Sequence, residues 1–208
     1  MASAAFKLLL ALSGLAGILI QCGVFTKRPD FSSLRYYTLI SNALLVAYFF
    51  PAAFFALRHD DRMLPSLKGA LTMGITVTGL VFHMLLSGSF TMGGSAAVAN
   101  QLLHTCTPLM AVLDWLLFDE KGRYHKWMPL QWALLPDVYF VLATLYGFFS
   151  GGRFVNGSRF PYFFIDYDTL GVGRVLLNVL GLNLAFIALG YVFVAIDGWM
   201  KQSGSTPQ

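Results

Sequence analysis

The chain has 208 residues, 57% of them hydrophobic and only 12% charged, with a mean hydropathy of +0.66. A soluble domain carries about 25% charged residues, so the composition excludes an ordinary water-soluble enzyme and defines an integral membrane protein, too short for two independent membrane domains. The net charge of +4 would suit a nucleic-acid partner, but the basic residues are scattered over the connections with no run or stripe, which excludes that class.

Six apolar segments approach the roughly 20 residues that a helix needs to cross a bilayer. The first covers about Phe6 to Phe25. Lys7 ahead of LLLALSGLAGILI looks like a secretory signal, but the apolar run exceeds the usual length of about 7–15 residues and no small-residue cleavage site follows. It reads as a retained helix. TKRPDFSSLR leads to the second span, about Arg35 to Leu57, and RHDDRMLPSLK to the third, about Leu67 to Ser87. The linker SFTMGGSAAVA carries no charge and is suited to dip partly into the membrane. The fourth span is about Val98 to Phe118, and the charged turn DEKGRYHKW separates it from the fifth, about Pro129 to Phe149. SGGRFVNGSRFPYFFIDYDT then precedes the sixth, about Leu170 to Trp199. The expected fold is all-α: one domain of six transmembrane helices over residues 1–200, with a polar disordered tail at 201–208. Cys22 and Cys106 fall inside apolar segments and read as small core residues, not as a disulfide or metal pair.

Orientation follows the lysine and arginine balance. With the N-terminus inside, the inner side holds Lys7, Arg58, Arg62, Lys68, Lys121, Arg123, Lys126 and Lys201. The outer side holds Lys27, Arg28, Arg35, Arg153, Arg159 and Arg174, so the division of the 14 is eight against six. Both termini are expected in the cytoplasm. In either orientation, starts of even-numbered spans share a membrane face with ends of odd-numbered ones.

The apolar pattern breaks most clearly in the fourth span. NQLLHTCTPLMAVLD places Asn100, Gln101, His104 and Asp114 at membrane depth, where polar and ionisable side chains are costly and functional by default. Pro108 has no N–H for the His104 carbonyl, which should bend the helix and leave a free carbonyl beside the imidazole. Thr38 and Asn42 lie one turn apart near the start of the second span, as Asn100 and His104 do in the fourth. His83 lies near the end of the third. Arg159, Tyr162, Asp166 and Asp168 occupy the loop before the sixth, which Arg174 begins. All fall on one side, about 5–10 Å below the surface at the rise of a helix. Packing roles exist for each: threonines bond their own backbone, asparagines bridge helices, and Asp166 with Arg174 would make a loop clasp. Asp114, Asp137 and Asp197 lie deeper or on the inner half and read as packing or topology elements.

The chemistry this cluster suggests is acyl transfer. A threonine hydroxyl becomes nucleophilic when a neighbouring base removes its proton, and a neutral imidazole suits that work near pH 7. Thr38 and His104 are the expected catalytic pair. Asn42, His83, Asn100, Arg159, Tyr162, Asp166 and Arg174 are the expected substrate-binding set, several of them able to donate to an oxyanion. No G-x-S-x-G, H-E-x-x-H, CxxC or P-loop is present, and neither metal nor cofactor is expected. Two other functions fit the same residues: a haem- or ligand-binding protein with His83 and His104 as axial ligands, or a small transporter with the cluster as its site.

SLRYYTLISN (33–42), LLHTCTP (102–108) with an acidic residue ten positions after the histidine, and FPYFFIDYDTLGVGR (160–174) together resemble the androgen-induced protein family. That family includes the androgen-dependent TFPI-regulating protein and bacterial six-pass relatives, and the resemblance runs from the second span through the sixth. It implies a threonine hydrolase of the bacterial inner membrane that cleaves fatty acid esters of hydroxy fatty acids, with a membrane lipid or fatty acyl ester as partner. Thr38 matches the family's nucleophile and His104 its catalytic histidine. Asp114 matches an acidic residue, and Phe164, Ile165, Asp166 and Arg174 fall on the matching loop and helix start. The pattern departs at Pro108, one place nearer the histidine, and at His83, where the animal members carry an aromatic residue.

Overall fold

The structure is a computed structural model and describes residues 1–58, 64–89 and 93–204. Arg62, residues 90–92 of the uncharged linker and residues 205–208 of the expected tail lie outside the described residues. Six helices are long and apolar enough to cross a membrane: α1 Ala2–Gln21, α2 Tyr37–Leu57, α3 Pro65–Leu86, α4 Gly94–Phe118, α5 Met128–Phe149 and α6 Tyr167–Gly204. No strand occurs among the described residues. The chain is a multi-pass, all-α membrane protein.

Local chemistry sets the ends of these helices. The apolar run of α1 continues to Phe25, yet the helix stops at Gln21. There Gly23 adopts φ 63, its N–H bonds the Ile20 carbonyl (3.0 Å) and the Val24 N–H bonds the Leu19 carbonyl (3.1 Å). This pair of bonds satisfies the last carbonyls of the helix and needs a left-handed residue, which glycine adopts without a Cβ clash. Prolines begin α3 and α5, where a missing N–H has no helical partner to lose. The last helix breaks at Gly171 and then runs on through Lys201 to Gly204, so the start of the expected disordered tail is helical instead. Lys201 and Gln202 are good helix formers, and the Ser203 hydroxyl donates to the Trp199 carbonyl (3.1 Å).

In the bundle α1 lies along α2, α3 sits centrally against α2, α4 and α5, and α6 packs on α5. One apolar cluster, with Leu10, Leu45, Phe49, Leu71 and Ile75, joins α1, α2 and α3. A second, with Tyr37, Met73, Val77, Trp132, Tyr139 and Phe193, joins α2, α3, α5 and α6. Exposed Leu9, Leu109, Leu142 and Leu177 belong to the outward, lipid-facing surface. At one end of the bundle the fully buried Asp114 binds Lys7 (2.8 Å) and Lys68 (2.5 Å), and Lys68 also reaches Asp119. Those pairs pin α1, α3 and α4 together, the packing role its position suggested. At the same end Asp197 accepts the Tyr124 N–H (2.9 Å) and holds the α4–α5 turn on α6. Thr38 and His104 lie at the other end.

Candidate active site

The position of Thr38 is set by the entry into α2. Ser32–Arg35 forms a 3-10 turn, Tyr36 is extended, and Tyr37 begins the helix. Thr38 is therefore the second helical residue, beside first-turn N–H groups and the positive end of the helix dipole. The Tyr37 N–H donates to the Tyr162 hydroxyl (3.1 Å).

The histidine's position is set by a widened turn in α4. Pro108 does not simply kink the helix; Leu102–Cys106 forms a π turn, in which the Thr107 N–H bonds the Leu102 carbonyl. That shift frees the Leu103 carbonyl, and Pro108 has no N–H to offer it. Side chains take it instead: the Asn42 amide donates to it at 3.2 Å and the Thr107 hydroxyl at 3.3 Å. The Asn42 amide also donates to the Thr38 carbonyl (2.8 Å), while its oxygen accepts from the Thr107 hydroxyl (2.8 Å). Fully buried, Asn42 thus fastens the turn carrying Thr38 to the turn carrying His104. The His104 carbonyl, expected to line a polar pocket, faces Gly79, where a Cβ would come within 3.0 Å of it. The absence of a side chain there lets α3 press against the widened turn.

The Thr38 Oγ1 lies 3.1 Å from the His104 Nε2, and the His104 Nδ1 lies 3.2 Å from the Asn100 carbonyl. A carbonyl oxygen only accepts, so the bond at Nδ1 assigns the ring proton to that nitrogen. Nε2 then offers its lone pair to the threonine hydroxyl. Hydroxyl, imidazole and acceptor are linked in the order that a nucleophile, its base and an orienting group take, with a backbone carbonyl where the serine triad has a carboxylate. Phe82 stacks on the imidazole, its centroid 4.0 Å away and its plane tilted by 26°. Phe82 opens a second π turn, Phe82–Leu86, so both histidines sit on π turns.

Thr38 and His104 open onto a cavity of about 80 Å³ whose walls include Val77, Phe82, Tyr139, Tyr162, Phe164 and Phe186. Burial pushes the Tyr162 phenol up to about 12, so it keeps its proton at neutral pH. Its oxygen accepts from the Tyr37 N–H, and the hydroxyls of Thr38 and Tyr139 also lie against it, so the phenol stands directly beside the threonine hydroxyl. The loop above is fastened to the start of α2. Arg35 lies against the rings of Tyr146 (5.0 Å) and Phe154 (5.3 Å), and the Tyr36 hydroxyl accepts the Val155 N–H (3.1 Å).

Of the residues singled out in the sequence, Thr38, His104 and Tyr162 meet at the cavity. Asn42 and Asn100 stand behind them, Asn42 with its amide committed to two carbonyls and Asn100 serving through its backbone. His83 is exposed and pairs with the Thr105 hydroxyl (3.0 Å). The ring of Phe82, which contacts both imidazoles, stacks on the face of His104, so the two histidines do not face each other. Arg159 pairs with Asp168 on the surface. Asp166 caps α6 through the N–H groups of Asp168 (3.0 Å) and Thr169 (3.2 Å) and clasps Ser158 (2.8 Å), not Arg174. Arg174 is exposed. These three do not line the cavity because the loop directs Tyr162 inward and leaves its charges in water. Sequence reasoning missed Tyr37, Phe82 and Tyr139 as walls, since aromatic residues carry no signal in a chain that is 15% aromatic. It also missed Asp137 and Asn183, polar at membrane depth, of which Asp137 was assigned to packing. Comparison of the chain with protein-family models, curated proteins and solved structures returns no match.

Proposed function

We propose that this protein is an integral-membrane hydrolase of lipid-like carboxylic esters, with Thr38 as nucleophile and His104 as general base. The observation that carries this reading is the 3.1 Å contact between Thr38 Oγ1 and His104 Nε2 at the wall of an apolar cavity, with Nδ1 held by a carbonyl. The resemblance to the androgen-induced protein family supports it, and with it a place in the bacterial inner membrane, while the lysine and arginine balance supports cytoplasmic termini. The exposed His83, paired with the Thr105 hydroxyl, favours this reading over a haem protein held between His83 and His104.

Thr38 Oγ1 attacks the ester carbonyl carbon while Nε2 takes the hydroxyl proton. The Tyr162 hydroxyl donates to the oxyanion of the tetrahedral intermediate. Collapse breaks the ester C–O bond, His104 returns the proton to the leaving alkoxide, and the alcohol departs from an acyl-threonine. A water molecule then attacks that acyl group as His104 takes its proton. The second collapse gives the proton back to the threonine oxygen and releases the carboxylic acid. One water is consumed per ester. On this reading acyl chains reach the apolar cavity from the surrounding membrane, so the substrate need not be extracted into water.

The test is labelling of the purified protein with a fluorophosphonate, followed by peptide mapping. Modification of Thr38, lost in a folded His104→Ala variant, is the expected result. Labelling at another residue, or full esterase activity in folded Thr38→Ala, would overturn the assignment.

A further inference from the structure

Resting on that reading, we propose that the Asp137–Asn183 pair is a specificity site for a hydroxyl group carried on the substrate's acyl chain. Asp137 of α5 and Asn183 of α6 line the same cavity as Thr38 and His104, and the Asn183 amide donates to Asp137 Oδ1 at 2.5 Å. Both side chains are half-buried. Among the described lining residues Asp137 is the one carboxyl group, set in walls that are otherwise hydrocarbon, phenol or hydroxyl apart from His104 and Asn183. A helix clasp alone does not require the pair to open into the substrate cavity.

The donor and acceptor count selects the ligand. With one amide N–H and Oδ1 used on each other, the pair presents a second amide N–H as donor and Oδ2 as acceptor. A hydroxyl both accepts and donates, so it satisfies the two together. A carboxylate offers Oδ2 no donor, and a plain methylene satisfies neither, leaving polar atoms desolvated and unpaired. The pair's depth places that hydroxyl along the chain. Asn178 bonds the Phe164 carbonyl (2.9 Å) at the turn beside Tyr162. Asn183 lies five residues further into the bundle, about 7–8 Å at the rise of a helix. The hydroxyl therefore belongs several carbons from the ester, not next to it.

The experiment compares para-nitrophenyl octanoate with a positional series of its hydroxyoctanoate esters, using the full chain in detergent. The expected result is a kcat/KM about 10- to 100-fold above the unsubstituted ester when the hydroxyl is mid-chain, with no gain when it adjoins the carbonyl. In Asp137→Leu and Asn183→Leu that ratio should fall toward one, a change that general loss of folding would not produce because it lowers both rates. Equal rates across the wild-type series, with hydrolysis still dependent on Thr38, would overturn this inference alone. A mid-chain gain that survives Asp137→Leu would do the same. Absence of Thr38-dependent hydrolysis of every ester would overturn the hydrolase reading and this inference with it.

Discussion

The two ends of the bundle handle buried polarity in opposite ways. At the histidine end the groups around Thr38 and His104 are a hydroxyl, an imidazole, phenols and amides, hydrogen-bonded to one another and to backbone carbonyls, with the Asp137 carboxyl held by Asn183 along the same cavity. At the lysine end Asp114 is closed off by Lys7 and Lys68, beside a more polar cavity of about 190 Å³ lined also by Asp119, Arg123 and Tyr124. A buried charge is tolerable only when it is paired and hydrogen-bonded. A neutral group can keep a lone pair or a proton in reserve at far smaller cost. On the proposed function, that difference is why the reacting pair and the ion-paired fastening lie at opposite ends.

The largest effect should come from the dyad and should fall on chemistry alone. Thr38→Ala and His104→Ala should each lower esterase kcat by about 10³-fold or more, and the double variant should be little worse than either. Melting temperatures in detergent should hardly move. A double variant with multiplied losses would mean that the two residues do not act in one step.

Asp114→Leu should do the reverse, destabilising by about 3–5 kcal/mol because it strands the buried Lys7 and leaves Lys68 with Asp119 alone, while the folded fraction keeps its kcat. Unfolding in mixed micelles measures the loss, and turnover per folded molecule measures the rest. Adding Lys7→Met to Asp114→Leu should recover most of the stability, since Lys68 keeps its pair with Asp119 and no buried charge is left unpaired. Failure of that rescue would show that the charges act in function as well as in packing.

The six spans were legible because length and apolarity alone define them. Thr38 and His104 were legible because polar residues near the ends of alternate spans had to share a membrane face. What sequence could not show is how backbone atoms take part. The orienting group on His104 is a carbonyl, and the group that Asn42 satisfies is another carbonyl, freed by a π turn that no residue type announces. Pro108 marked the place of the irregularity but not its form. The loop misled for a different reason. Arg159, Asp166 and Arg174 lie near Tyr162 in sequence, but a charged side chain at a membrane surface turns to water, and only the phenol is drawn in.

Asn42→Leu tests the fastening between the two turns and should have an intermediate effect. It leaves the Leu103 carbonyl with only the Thr107 hydroxyl, a buried loss of about 1–3 kcal/mol. It also removes the tie that sets the 3.1 Å spacing of the dyad, so kcat should fall while KM changes little. A variant that lost stability but retained full kcat would reduce Asn42 to packing.

The smallest effects should come from the loop charges. Arg159 pairs with Asp168 in solvent, where ion pairs contribute little and salt screens them. Arg174 is exposed on α6 and does not line the cavity. Arg159→Ala and Arg174→Ala should leave melting temperature, kcat and KM for an uncharged ester at wild-type values, and raising the salt concentration should not alter that outcome. The substrate's own charge supplies the sharper half of the test. If loop charges guide an anionic lipid toward the membrane-level entrance, the variants should lower kcat/KM for that lipid at low salt only, through encounter, with kcat preserved. A fall in kcat on an uncharged ester would place a cation in the reacting site, and the contrast between ion pairs at one end and uncharged partners around Thr38 and His104 at the other would fail.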